Sequence, residues 1–355
     1  MTKKRRVGLL FGGRSAEHEV SIQSAAAIYN NIDKSAYKVV SIYINRQGRW
    51  KEAPSPLLPV KELAKGPFYS FLPWEGKGFF KAVQADIYFP ALHGPYGEDG
   101  TIQGLLEMAD VPYVGAAVLA SAAGMDKAIM KTLFQAESLP VVKYRVLYEG
   151  EWKKSPASFA GLIRREFRLP FFVKPANLGS SVGISKVKDY DRTDAALALA
   201  FCYDRKILVE KGILGRELEC SVLGNDAPQA SLPGEVIPFR DFYDYDDKYL
   251  DGKTRFGIPA KLPAKIAKKV QKLAIEAYRT CDCSGMARVD FFLEAQTNQL
   301  YVSEINTIPG FTEISMYPKL WEASGLPFPE LLQRLIDLGF ERHQSKKRCL
   351  DRSPR

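Results

Sequence analysis

Hydrophobic and polar positions along this chain follow two rhythms. VGLLFGG (7–13) and YKVVSIYI (37–44) are short apolar runs closed by glycine or polar residues, and they predict buried strands. Between them, SAEHEVSIQSAAAIYNNI has helical composition. Strand, helix, strand implies a parallel α/β unit. ADIYFPALHGPYGEDG (85–100) predicts a further strand that ends in a glycine-rich loop, with a helix from about Thr101, and VPYVGA closes this first unit. Residues 47–81 are rich in Pro and Gly and predict an insertion.

The second half repeats the alternation without any internal repeat. MDKAIMKTLFQAESLP (125–140) predicts a helix, and FFVKPANLGSSVGISKV (171–187) a strand, a Gly/Ser loop and a strand. A helix near 191–203 precedes two more strands in KILVEKGILGRELECSVLG (206–224). Residues 233–259 are aromatic, acidic and glycine-punctuated, too polar for a core. IAKKVQKLAIEAYRTC (266–281) has apolar spacing near 3.6 and predicts an amphipathic helix, and PFPELLQRLIDLGF (327–340) predicts the last one.

One hairpin breaks the pattern. RVDFFLEAQTNQLYVSEINTIPG (288–310) predicts two apolar strands about a turn centred near Thr297, yet it spends four positions on charge and amide. Side chains alternate faces along a strand, so folding about that centre sets Asp290 opposite Glu304 and Arg288 opposite Asn306. Two opposed carboxylates repel and are costly to bury. A divalent cation such as Mg²⁺, which takes oxygen ligands from carboxylates and substrate phosphates, resolves both problems. A solvent-facing edge hairpin is the alternative.

Composition narrows the function classes. The chain has 355 residues, 46% of them hydrophobic, enough for two or three domains. Its net charge of +9 sits at the ends, in Lys3, Lys4, Arg5 and Arg6 and in the tail from Arg342 to Arg355. The body is near neutral, so a basic groove for nucleic acid is not expected, and the terminal runs are expected to be solvated tails. The five cysteines have neither disulfide-framework nor zinc spacing, which fits a reducing cytosol. KKRR before VGLLF mimics a signal peptide, but the apolar run stops at once, and no run approaches membrane-span length.

The remaining chemistry lies in loops and strand ends. There is no dinucleotide fingerprint and no P-loop. ANLGSSVGIS offers small residues whose backbone N–H groups can approach an anion, with the hydroxyls of Ser180 and Ser181 as further donors and Lys174 just before it. An ordinary flexible hairpin tip is the other reading. Glu210 and Lys211 follow a buried run and suit a site edge or a plain strand end. Glu17 opens a helix, where it either complements the dipole or holds a substrate ammonium. His93 lies in a glycine-rich loop at a strand end, where α/β sites gather. A phosphate flap, lysines, a cation patch and an adjacent arginine together point to phosphoryl transfer by positioning and charge neutralisation.

GGRSAEHEVS, ALHGPYGEDGTIQG, MDK, VKPANLGSSVGISKV, VEKGILGRELE, FYDYDDKYL, ARVDFF and SEINTIPGFTEISMYP carry a resemblance over roughly residues 5–340. In order and spacing the chain resembles the D-alanine–D-alanine ligases of the ATP-grasp family. The resemblance implies an α/β (α+β) fold in three domains, with a Rossmann-like parallel-sheet domain at residues 1–123. The two ATP-grasp subdomains, 124–213 and 214–341, would hold ATP between antiparallel sheets, and 342–355 would be a disordered basic tail. It implies Lys127, Lys174, Ser181 and Lys248 at the ATP phosphates, and Glu210, Lys211 and Glu217 at adenine and ribose. Asp290, Glu304 and Asn306 would ligate two Mg²⁺ (or Mn²⁺) ions. Glu17 would hold the first substrate's ammonium and join Ser180 and Tyr249 in a hydrogen-bonded trio that closes a lid over 240–257. Arg288 and the Gly310 N–H would stabilise the oxyanion, Ser315 would bind the second substrate's carboxylate, and His93 would line the substrate site.

The implied activity is ATP-dependent ligation of two D-alanines through an acyl phosphate, for peptidoglycan precursors in the cytoplasm. The implied partners are ATP and D-alanine, with no nucleic acid or membrane, in a homodimer. D-lactate or D-serine as second substrate, another ATP-grasp carboxylate–amine ligase, and a regulatory nucleotide binder are the alternatives. DYDDKY with Tyr249 after Lys248 resembles the dipeptide-forming type. The 47–81 segment resembles only longer members, and the residues beyond Glu341 match nothing in the family.

Overall fold

The structure is a computed structural model that describes residues 4–65, 84–179, 182–237 and 254–346. Ser180, Ser181, Lys248, Tyr249 and most of the expected 240–257 lid lie outside the described residues. Among the described residues the chain is a mixed α/β fold of three sheets.

The first sheet has the order β3-β2-β1-β4, with β1 (Arg5–Gly12), β2 (Tyr37–Ile44), β3 (Trp50–Ala53) and β4 (Ile87–Pro90). β1 runs parallel to β2 and β4, with Val7 beside Val39 and Ile87, and the helix His18–Asn31 makes the crossover. β3 pairs antiparallel with β2 and buries Trp50, so the start of the expected 47–81 insertion is instead the sheet's edge strand. The N-terminal basic run is likewise not all tail. Arg5 and Arg6 lie in β1, where the Arg6 N–H donates to Asp86 and the Arg5 guanidinium sits over the Phe340 ring.

The second sheet is antiparallel, in the order β5-β8-β6-β7, from β5 (Tyr144–Tyr148), β6 (Phe171–Pro175), β7 (Ser185–Val187) and β8 (Lys206–Lys211). The helices Pro156–Glu166 and Thr193–Phe201 cover one face through Ile163, Leu197, Phe171, Val173, Ile207 and Val209. Strand parity sends Phe172, Lys174 and Glu210 to the other face.

The third sheet runs β12-β11-β9-β13-β14, with β10 (Gln229–Ala230) on β9. Its strands are β9 (Gly215–Gly224), β11 (Gly234–Ile237), β12 (Arg255–Gly257), β13 (Gly285–Glu294) and β14 (Leu300–Asn306). The helix Ala264–Thr280 packs beneath it. Its buried residues are Val270, Leu273, Ala274, Ala277 and Tyr278, one stripe of a 3.6-residue repeat.

The expected hairpin register is present: Asp290 faces Glu304 and Arg288 faces Asn306. Strict alternation would nevertheless have failed. Phe291 pairs with Val302, so Ser303 is an extra residue that drops out of the ladder. Leu300, Val302 and Ile305 are buried, while Glu304 and Asn306 face away from that core. The bulge therefore changes which parity faces the core within one strand.

The helix expected at 125–140 is present as Lys127–Ala136, and a separate helix, Val118–Met125, precedes it, with Asp126 extended between the two. The Asp126 carboxylate accepts the Ala128 and Ile129 N–H groups, an N-cap worth about 1 kcal/mol. The last helix, Phe328–Ser345, runs past the expected start of the tail. Arg342 is buried, donates to the Tyr113 carbonyl at 2.9 Å and lies 3.9 Å from the centre of the Tyr113 ring. This helix closes the first sheet, so Val7, Leu9, Phe89, Phe311, Leu332 and Leu335 share one core. No helix among the described residues is long and apolar enough to cross a membrane.

Candidate active site

A cleft opens where the three sheets meet. Glu17, His93, Glu98, Lys127, Glu219, Arg288, Glu304, Asn306, Gly310 and Ser315 all line it, although they come from opposite ends of the chain. The turn after β1 delivers Glu17, and two glycines make room for its carboxylate. Gly94 has φ +74°, and a Cβ there would lie 2.8 Å from Glu17 Oε2. A Cβ on Gly179 would lie 3.1 Å from the same atom. The first sheet's loop and the Gly/Ser loop of the second thus converge on one carboxylate.

His93 is buried behind it. Its Nδ1–H donates to the Ile308 carbonyl at 3.1 Å, which leaves Nε2 to accept from Ser24 Oγ at 2.9 Å. Ser24 Oγ in turn accepts the Phe311 N–H at 3.2 Å. His93 and Ser24 therefore pin both ends of the segment that contains Gly310. Burial alone would pull the His93 imidazole down. The hydrogen bond and charge of Glu98, helped by Glu17, outweigh it and hold the pKa above its ordinary value. Burial and the Glu17 charge push the Glu98 carboxyl up to about 7, against the pull of His93.

The Gly310 segment turns into the helix Met316–Ala323. Ser315 Oγ accepts the Thr312 N–H at 3.0 Å and lies 2.8 Å from Thr312 Oγ1. A Cβ on Gly310 would come within 2.6 Å of Ser315 Oγ, so only glycine lets the backbone N–H and the serine hydroxyl occupy one corner.

On the third sheet, Arg288 donates to both carboxylate oxygens of Asp290 at 2.7 Å and lies 3.1 Å from Glu219 Oε2. Burial opposes its charge, but Asp290 and Glu219 overcome this and raise its pKa further. Among the described residues no three His, Cys, Asp or Glu side chains converge as a cation-binding group. The donors nevertheless fit a hard cation. Asp290, Glu304 and Asn306 offer oxygens on one face, and Asn306 Oδ1 is ordered by the Ile308 N–H at 3.1 Å.

The lysines form a second group, of which Lys127 lines the cleft. Lys127 donates to the Leu178 carbonyl at 2.6 Å. Lys174 lies 2.8 Å from Glu210 Oε2, and Lys131 lies 3.2 Å from Glu210 Oε1. Burial favours the neutral acid, yet the two ammoniums prevail and bring the Glu210 carboxyl down to about 2. The three groups share one negative charge unequally. Burial wins at Lys131, whose pKa is lowered, and Glu210 wins at Lys174, whose pKa is raised. Glu304 and Glu217 of the third sheet also raise Lys174, so the two antiparallel sheets face each other here. Lys211 has the parity of Ile207 and Val209, is turned away from this group, and pairs with Glu294 at 3.1 Å.

Sequence reasoning passed over Lys131, Glu219 and Glu98. Glu219 shares a strand face with Glu217, two residues before it, and Lys131 follows Lys127 by one helical turn. Those spacings were the available signals.

The sequence matches the family described as D-ala D-ala ligase N-terminus over residues 6–116 and D-ala D-ala ligase C-terminus over residues 133–337. It is 50% identical to a D-alanine–D-alanine ligase of Solibacter usitatus, over 97% of this chain and 98% of that one. It is 47% identical to one of Chloroherpeton thalassium, with the same shares covered. Among solved structures, the D-alanine–D-alanine ligase from Coxiella burnetii superposes with a TM-score of 0.84 at 40% identity, covering 98% of this chain and 97% of that one. The VanG D-Ala:D-Ser ligase from Enterococcus faecalis superposes with a TM-score of 0.83 at 34% identity, covering 95% and 100%. Matched at both ends and over nearly its whole length, the chain belongs to the D-alanine–D-alanine ligase family, with its ATP-grasp fold.

Proposed function

We propose that this chain joins two molecules of D-alanine into D-alanyl-D-alanine for peptidoglycan precursors, converting ATP to ADP and phosphate. The observation that carries the reading is the convergence of Glu17, Arg288, Gly310 and Ser315 on one cleft beside Glu304 and Asn306. A carboxylate is a poor electrophile, so the γ-phosphoryl group of ATP is first transferred to the carboxylate of one D-alanine. The free amine of the second then attacks the acyl carbon and forms the C–N bond, the C–O bond to the phosphoryl group breaks, phosphate leaves with that electron pair and the former carboxylate oxygen, and the amine nitrogen gives up one proton. Arg288 and the Gly310 N–H stabilise the tetrahedral oxyanion.

Glu17 holds the first ammonium, and Ser315 the second carboxylate. His93 lines the substrate site and fixes the segment that carries Gly310. Lys127 and Lys174, with Ser181 and Lys248, contact the ATP phosphates. Glu217 and Lys211 attend the nucleoside, together with Glu210, whose side chain is enclosed by two lysines and leaves its main chain for the adenine. Glu17, Ser180 and Tyr249 form the trio that closes the 240–257 lid and excludes water from the acyl phosphate. Asp290, Glu304 and Asn306 would hold Mg²⁺ (or Mn²⁺), which when bound offsets charge between phosphate and carboxylate oxygens. Membership of the family also supports a cytoplasmic homodimer.

The test is phosphate release from ATP and Mg²⁺ with D-alanine, L-alanine, or D-alanine plus D-serine or D-lactate, with products identified by mass. Dipeptide from D-alanine alone supports the reading. Preferential D-alanyl-D-serine, the specificity named for the VanG structure, or a depsipeptide would keep the chemistry and change the second substrate. No phosphate release with any of them would refute it.

A further inference from the structure

Lys131 has no part in the reaction as laid out above, yet it is the most deeply buried lysine among the described residues, at 1% exposure. It bridges two sheets. Its ammonium faces Glu210 of β8 and donates to the Ser303 carbonyl of β14 at 3.0 Å. Ser303 is the bulge residue, and the neighbouring Ile305 N–H points to Met130 Sδ at 3.3 Å. One turn of the helix Lys127–Ala136 therefore supports the irregular stretch that turns Glu304 out of the core.

The charge count is unusual. Lys131 and Lys174 share the single carboxylate of Glu210, so the trio carries one positive charge in excess in a region shielded from water. A buried ammonium with only part of a counter-ion is costly. Without Lys131, Glu210 and Lys174 would form a closed neutral pair, and an entering phosphate would have to break it with no net attraction to draw it in. With Lys131 present, Glu210 is already half committed, and Lys174 has charge to offer an anion. Glu304 and Glu217 face the trio from the third sheet, so Lys131 reduces the negative charge that an entering phosphate meets in this corner.

We propose that Lys131 is a positioning residue for the nucleotide: it shares Glu210 so that Lys174 can pair with an ATP phosphate, and it seats the Ser303 bulge that presents Glu304 beside it. The proposal rests on the ligase reading for the use made of ATP.

The test uses the full chain and four proteins: wild type, Lys131→Gln, Lys131→Met, and the double variant Lys131→Met with Glu210→Gln. Equilibrium binding of ATP with Mg²⁺ is measured by calorimetry, alongside the KM values for ATP and D-alanine. Either single substitution is expected to weaken ATP about tenfold or more while the D-alanine KM stays within about twofold. Glutamine keeps a donor for Ser303, so the Gln variant reads the charge effect even if the Met variant folds poorly. Adding Glu210→Gln to Lys131→Met restores the excess charge and should recover most of the ATP affinity. Unchanged ATP affinity in both single variants, parallel losses for ATP and D-alanine, or a double variant no better than Lys131→Met would each overturn the proposal. A wild-type chain that binds ATP but forms no dipeptide would sink the ligase reading alone, because the affinity comparison still decides the role of Lys131.

Discussion

Replacing Glu210 by glutamine removes the carboxylate that pairs with two buried ammoniums while conserving shape. The Glu210 carboxyl titrates at about 2 in the fold against an ordinary 4.5. At about 1.4 kcal/mol per pKa unit, that hold is worth roughly 3 kcal/mol to the folded state. A carboxyl depressed by folding contributes its stability fully above the unfolded value of 4.5, and the contribution drains away as pH falls from there towards 2. Urea unfolding of wild type and Glu210→Gln, followed by tryptophan fluorescence from pH 8 to pH 3.5, should therefore give a difference of about 3 kcal/mol that is flat down to about pH 5 and narrows below it. Lys131 supplies a second signature. Its pKa is already lowered by burial, and losing Glu210 lowers it further. The variant should thus regain ground on the wild type as pH becomes alkaline and that ammonium sheds its proton. A difference below about 1 kcal/mol at neutral pH, or one that does not change on acidification, would refute the account of the lysine–glutamate trio.

Asp290→Ala and Glu304→Ala should each abolish dipeptide formation in a chain that still folds, and near-normal turnover in either would remove these residues from the phosphoryl-transfer step. Gly310→Ala places a methyl group against Ser315 Oγ and should lower kcat/KM for D-alanine at least about tenfold with the ATP affinity kept, as steady-state kinetics and calorimetry would show. Arg342→Ala removes a buried hydrogen bond and a cation–π contact and should cost about 2 kcal/mol in urea unfolding while leaving kcat unchanged. A midpoint equal to the wild type's would mean that the helix end adds nothing to the core.

Much of the fold was legible because local patterns and tertiary burial agree. The helix Ala264–Thr280 carries its buried stripe in the sequence, and the alternation of β13 places Arg288 and Asp290 together. The hairpin register followed from folding about the turn, although the bulge at Ser303 was invisible: no residue type there demands an extra position, and only the burial of Leu300, Val302 and Ile305 requires the shift. Arg342 looked like the start of a solvated run because its partners, the Tyr113 ring and carbonyl, lie far away in sequence. Lys131 was hidden for the same reason. A lysine on a helix is ordinarily solvated, and nothing local announces that two sheets will close over it.

The bulge at Ser303 also makes this corner depend on a main-chain carbonyl rather than on a side chain. Substitution at Ser303 leaves its carbonyl, the atom that Lys131 holds, in place, so many side chains should be tolerated there. Deleting that one residue is a different event. The ladder would become regular and Val302, Glu304, Ile305 and Asn306 would keep their present faces, but the carbonyl that Lys131 holds would be lost and its ammonium would face Glu210 alone. A deletion in the turn between Glu294 and Leu300 carries no such penalty, because the turn absorbs the change before the ladder begins. Over a few residues of one hairpin, lineages of this chain are free to vary in length at the tip and held to a fixed count at the base.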